Sequence, residues 1–211
     1  MSNTLVELRQ QIDEIDKALL DLVKMRLNLS HEVIAAKTAD SPVYRPAREA
    51  LLMQKLLLQL NGEFEKEVIS KLWRLLLAAS VHSQRPDFKI VSLSGLEDFT
   101  NQFSVGFLKF EICQTEEELI TNLSNNKADI AFLPFKHLSK ISKFLGEETG
   151  LYLNHKLDDV AIICKNTPEE TGSDVSVFKD INLPFSNIIE KQGFALNSDD
   201  KHVFIGGWVN I

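Results

Sequence analysis

The sequence predicts an α+β protein, with three helices over residues 1–87 and a small α/β domain over residues 88–211. Three observations carry that expectation. From Leu5 to Val33 apolar residues recur in alternating steps of three and four, with no Gly or Pro before Pro42. That is the seam of a long helix packed on other helices. Two further helical stretches follow, and Arg85-Pro86 closes the second of them. The pattern then changes at once to LysIleValSerLeu at 89–93, a run richer in strand formers.

Taken in order, Thr4 and Glu7 have the spacing of a capping box, in which each side chain satisfies a backbone donor at a helix start. The seam then runs through Leu5, Leu8, Ile12, Ile15, Leu19, Leu22, Leu29 and Val33. A helix from Thr4 to Lys37 is roughly 50 Å long, more than a small monomeric domain covers, so it calls for partner helices from another subunit. The stretch AlaAspSerProValTyrArgPro at 39–46 breaks it, and Pro46 suits the first turn of a second helix running to Leu60. Asn61 and Gly62 suit the stop of that helix. The acidic GluPheGluLysGlu at 63–67 opens a third, carrying Ile69, Leu72, Trp73, Leu76 and Leu77. Beyond the change of pattern, residues 105–112, 128–134, 160–165 and 202–205 have strand character, and Thr115 caps a helix between the first two.

Composition narrows the functional classes. The chain of 211 residues is 44% hydrophobic and 25% charged, an ordinary globular balance. A net charge of −7 disfavours broad attachment to nucleic acid or to an anionic membrane surface, so any anion site must be local. Cys113 and Cys164 lie far apart with no CxxC pair, and no His stands at metal-ligand spacing, so neither a metal site nor a disulfide framework is expected. His137, His155 and His202 read as structural. The first residues meet charge early and lack the apolar core of a signal peptide, which leads to an expected cytoplasmic location.

Several polar residues stand where apolar ones belong. Arg26 occupies the seam position between Leu22 and Leu29, and Lys37, eleven residues on, falls on nearly the same stripe. In the third helix the stripe Ile69, Trp73, Leu76 leads to Ser80 and Gln84. Arg48 and Glu49 come one turn into the second helix. Each has a bland explanation: a snorkelling arginine, a last turn facing water, a solvated surface ion pair. Together they read differently, because buried cations without fixed counter-charge are costly, and such a cluster predicts a bound small dianion.

The segments LeuArg at 8–9, IleAspGluIleAsp at 12–16, LeuValLysMetArg at 22–26, GluValIleAlaAlaLys at 32–37, TyrArgProAlaArgGlu at 44–49 and SerValHisSerGln at 80–84 resemble, in order and spacing, the AroQ-type all-helical chorismate mutases. The resemblance implies an intertwined helical homodimer that rearranges chorismate to prephenate in aromatic amino acid biosynthesis, without a cofactor. It implies that Arg26 and, from the other subunit, Arg9 hold the enolpyruvyl carboxylate. Lys37 and Ser80 would engage the ring carboxylate, and Lys37 and Gln84 the ether oxygen. Glu49 would take the ring hydroxyl and Arg48 brace the carboxylate network, making Arg26, Lys37, Glu49 and Gln84 the catalytic group. Arg45 stands where some bifunctional relatives carry an Asp near the ring hydroxyl, which puts that contact in doubt. Such an intramolecular rearrangement needs no nucleophile, base or metal. It needs the substrate held in its reactive form and donors aimed at developing charge.

Residues 88–211 resemble a shortened prephenate dehydratase domain in LysIleValSerLeuSerGly at 89–95 and AsnLysAlaAspIleAlaPheLeuPro at 126–134. The Thr-Arg-Phe signature of that family is missing, which implies a degenerate, noncatalytic remnant serving stability or ligand binding. The alternatives are a bifunctional mutase/dehydratase and a noncatalytic helical interaction module.

Overall fold

The computed structural model describes residues 4–36, 41–180, 188–199 and 201–209. The chain forms two compact units, Met1–Ser41 and Pro42–Ile211.

Among its described residues the first unit contains one helix, α1 (Leu5–Ala36), about 48 Å long at 1.5 Å per residue. Its start is the capping box expected from sequence: Thr4 N–H donates to Glu7 Oε2 at 2.7 Å and Glu7 N–H to Thr4 Oγ1 at 3.3 Å. The apolar seam is on the surface of the single chain, with Leu8 44%, Ile12 55%, Leu19 49% and Leu22 60% exposed. A row of this length left in water is more than the single scattered apolar residues that a protein surface ordinarily shows.

The second unit opens with α2 (Pro46–Leu57) and α3 (Glu63–Gln84). Pro46 sits in the first turn of α2, as its fixed φ and missing N–H favour. The helix stops three residues short of the expected Leu60. Gly62, read from sequence as part of that stop, is instead the N-cap of α3 with extended backbone at φ −96°.

An eight-stranded mixed sheet follows, in the order β2-β1-β3-β5-β4-β8-β6-β7. Its strands are β1 (Lys89–Leu93), β2 (Lys109–Cys113), β3 (Ile130–Pro134), β4 (Tyr152–Leu157), β5 (Val160–Cys164), β6 (Asp174–Asp180), β7 (Ile188–Gln192) and β8 (His202–Val209). β1 runs parallel to β2 and β3, and β5 pairs antiparallel with β3 and β4. The strand expected over 105–112 begins only at Lys109, because Val105 takes a left-handed conformation (φ 43°) that closes the helix α4 (Glu97–Ser104). Between β2 and β3 lies α5 (Glu116–Ser124), whose N-cap Thr115 accepts from Glu118 N–H as the sequence predicts. A short helix, α6 (Leu138–Ile141), follows β3. Where β4 and β8 meet, Gly206 opposes Leu153, and a Cβ there would stand 2.1 Å from the Leu153 carbonyl oxygen. Only glycine fits that approach.

Successive side chains of the central strands go to opposite faces, and both faces are covered. Val91, Leu93, Ala131, Leu133 and Ile163 join Leu119, Leu123 and Leu138 of α5 and α6. Ile90, Ile130, Phe132 and Ile162 join Phe103 of α4 together with Tyr44, Ala78 and Val81. Residues ahead of position 88 thus belong to the core of the sheet. That shared core is why α2 and α3 fall in one compact unit with the strands, whereas the sequence reading drew its division at residues 87–88.

Candidate active site

α1 carries Arg9, which is exposed, and Arg26, which is half-buried and whose carbonyl accepts from Ser30 Oγ at 3.0 Å. Seventeen residues of continuous helix separate them, about 26 Å along the axis. Lys37 lies outside the described residues.

The second unit brings the other candidates onto two packed helices. Arg48 is exposed in the first turn of α2. Beside it Glu49 is drawn to α3, where Arg74 Nη1 donates to Glu49 Oε2 at 2.9 Å, with side chains 19% and 14% exposed respectively. The Arg74 guanidinium also stands 4.1 Å from the centroid of the Phe103 ring. Its Nε and Nη2 are buried and have no acceptor among the described residues. Sequence reasoning missed Arg74, although a signal exists: it is the single charge in the run from Leu72 to Ala79. Burial, and secondarily the nearby charge of Glu49, raise the Tyr44 phenol well above its ordinary range.

Ser80 and Gln84 stand one turn apart at the end of α3. Ser80 is buried and its Oγ donates to the Leu76 carbonyl at 2.8 Å; Gln84 Nε2 donates to the Ser80 carbonyl at 3.1 Å. Both side chains thereby donate to the backbone of their own helix one turn earlier. Arg45 is engaged elsewhere: its Nε and Nη2 donate to Glu169 Oε1 and Oε2 at 2.9 and 2.7 Å. Those bonds raise the Arg45 pKa further.

Among the described residues no group of His, Cys, Asp and Glu could hold a metal ion, and no helix is long and apolar enough to cross a membrane. Both cysteines are free and buried, and burial pushes the Cys164 thiol up to about 12.

Residues 8–85 match the family Chorismate mutase type II. That segment contains α2, α3 and nearly all of α1, and so defines the class of protein to which this part of the chain is similar. The relatives are more particular. A bifunctional chorismate mutase/prephenate dehydratase of Buchnera aphidicola is 25% identical over 189 residues, covering 74% of this chain and 49% of that protein. Another protein of that name, from Aquifex aeolicus, is 27% identical, covering 63% of this chain and 39% of that one. A T-protein of Enterobacter agglomerans is 50% identical over 50 residues, 23% of this chain and 13% of its own. The chain thus spans about half the length, or less, of these relatives. The solved structure titled GqqA, a novel type of quorum quenching acylases, aligns with a TM-score of 0.40 at 10% identity, covering 58% of this chain and 95% of that chain. A likeness at that level carries no argument.

Proposed function

We propose that the protein is a chorismate mutase, converting chorismate to prephenate in the cytoplasm as part of aromatic amino acid biosynthesis. One observation carries the reading: Arg9, Arg26, Lys37, Arg48, Glu49, Ser80 and Gln84 all fall, in order, within the segment 8–85 that matches the mutase family. In this reading the arginines clamp the two carboxylates in bidentate fashion and fix the substrate in its reactive conformation. Lys37 and Gln84 donate to the ether oxygen as negative charge develops there, while Glu49 takes the ring hydroxyl and Ser80 the ring carboxylate. No cofactor or metal takes part.

The active unit in this proposal is a homodimer with shared sites. Two arginines about 26 Å apart on one straight helix cannot both grip a ligand the size of chorismate. If α1 pairs with a second copy, Arg9 of one chain meets Arg26 of the other, and the exposed apolar seam is covered at the same time. The α/β region serves here as a noncatalytic scaffold, a role supported by the core it shares with Tyr44, Ala78 and Val81.

The decisive measurement is loss of chorismate absorbance on adding the purified protein. Turnover to prephenate is expected, without further conversion to phenylpyruvate. No turnover by a folded dimer would overturn the reading, and phenylpyruvate release would overturn the scaffold role. Mixing inactive Arg9→Ala and Arg26→Ala chains should restore activity, since one hybrid site keeps both arginines. No recovery after verified subunit exchange would refute site sharing.

A further inference from the structure

The residues just ahead of α2 are held by the loop that follows β5. Arg45 is the N-cap of α2, yet its side chain makes no capping bond. It reaches away from the helix to grip the Glu169 carboxylate at two points, 2.9 and 2.7 Å. The neighbouring backbone is held as well: Asn166 Nδ2 donates to the Tyr44 carbonyl at 2.7 Å, and the Asn166 carbonyl accepts from the buried Asn154 of β4 at 2.7 Å. The Tyr44 ring lies edge-on to Phe88 and Phe103 in the core. From this anchored pair the helix begins, and Glu49 N–H closes its first turn on the Arg45 carbonyl at 3.0 Å.

We propose that Glu169, acting through Arg45, is a positioning residue for Arg48 and Glu49, so that the α/β region sets the geometry of the mutase site. A helix whose N-cap side chain does not cap it depends on other contacts to fix where it starts. Here a two-point guanidinium–carboxylate pair fixes direction as well as distance. A shift in the start of α2 moves Glu49 by a comparable amount, and small misplacements at a site that works by orientation are expensive in rate. Arg45 is therefore not a substrate contact. This inference rests on the mutase reading for its catalytic consequence, but the latch can be measured without turnover.

The test uses the full chain with Glu169→Ala, and with the reciprocal exchange Arg45→Glu plus Glu169→Arg. Amide hydrogen exchange across residues 46–52 should speed up in Glu169→Ala and return toward the original rate in the exchanged pair. Chorismate kcat/KM should fall by about threefold to tenfold in Glu169→Ala, chiefly through kcat, and recover in the exchanged pair. Unchanged hydrogen exchange overturns the latch. Faster exchange with unaltered kcat/KM overturns the positioning role, as does an exchanged pair that folds but recovers neither quantity. An original protein with no turnover at all would sink the mutase reading instead, leaving hydrogen exchange to decide the latch.

Discussion

Replacing Arg74 by Met probes the contact that ties Glu49 to the third helix. The change removes the 2.9 Å pair with Glu49 and the guanidinium over the Phe103 ring, and leaves a largely buried carboxylate without its cation. Losing one partner of a buried pair costs about 3–5 kcal/mol, and an exposure of 14–19% puts this pair near the lower end. The lost ring contact adds ~1 kcal/mol. Removing two buried donors that lack acceptors returns ~1–2 kcal/mol. The net is a destabilisation of about 3 kcal/mol, which for a domain of this size lowers the melting midpoint by about 6–12 °C. The double variant Glu49→Gln, Arg74→Met no longer buries a lone charge, so it should melt well above the Arg74→Met single variant. Thermal unfolding followed by circular dichroism of the three proteins reads both effects. Arg74→Met melting with the parent, or a double variant no better than the single, would refute the account of Arg74 as the counter-charge of Glu49.

Three further outcomes are expected. A fragment of residues 1–87 contains the matched segment, but it loses the covering of Tyr44 and Val81, worth ~1.5–3 kcal/mol each, so it should melt lower and aggregate more than the full chain by light scattering; a monodisperse fragment with the parent midpoint would show that the shared core contributes little. Gln84→Glu should be poor at neutral pH, by on the order of 100-fold, and should improve on acidification, because a carboxyl donates only when protonated; a parent-like pH profile of mutase rate would remove Gln84 from the site. Burial lowers His155 from 6.5 to about 4, so the folded state holds the neutral ring while the unfolded chain takes up a proton below pH ~6.5. Stability is therefore full above pH ~6.5 and falls as the pH drops toward about 4, by up to ~3 kcal/mol; His155→Gln should flatten that slope in denaturant titrations run at several pH values.

Local rules made much of this chain legible. The capping box at Thr4 and Glu7, the seam of α1, Pro46 at the start of α2, the acidic opening of α3 and the Thr115 cap all involve residues within a turn of one another. Their physics is present in the chain before it folds. The strands β1 and β5 were visible for the same reason, as short apolar runs bounded by turn formers. α4, β4, β6 and β7 were not read, since their sequences carry weak periodicity and gain their identity from packing and pairing with distant neighbours. The left-handed Val105 that shortens β2 is likewise set by context rather than by residue preference.

The same division holds at the candidate site. That Arg9, Arg26, Lys37, Arg48, Glu49, Ser80 and Gln84 are the residues to consider is what the resemblance of their segments to the all-helical chorismate mutases implies. Only the tertiary structure decided that Glu49 is paired with Arg74, 25 positions away, and Arg45 with Glu169, 124 positions away. It likewise decided that Tyr44, Ala78 and Val81 are buried in the core of the sheet. Periodicity tells which face of an element is apolar, but not which distant element covers it; that choice is made by chain topology and close packing, neither of which is written in any local stretch of sequence.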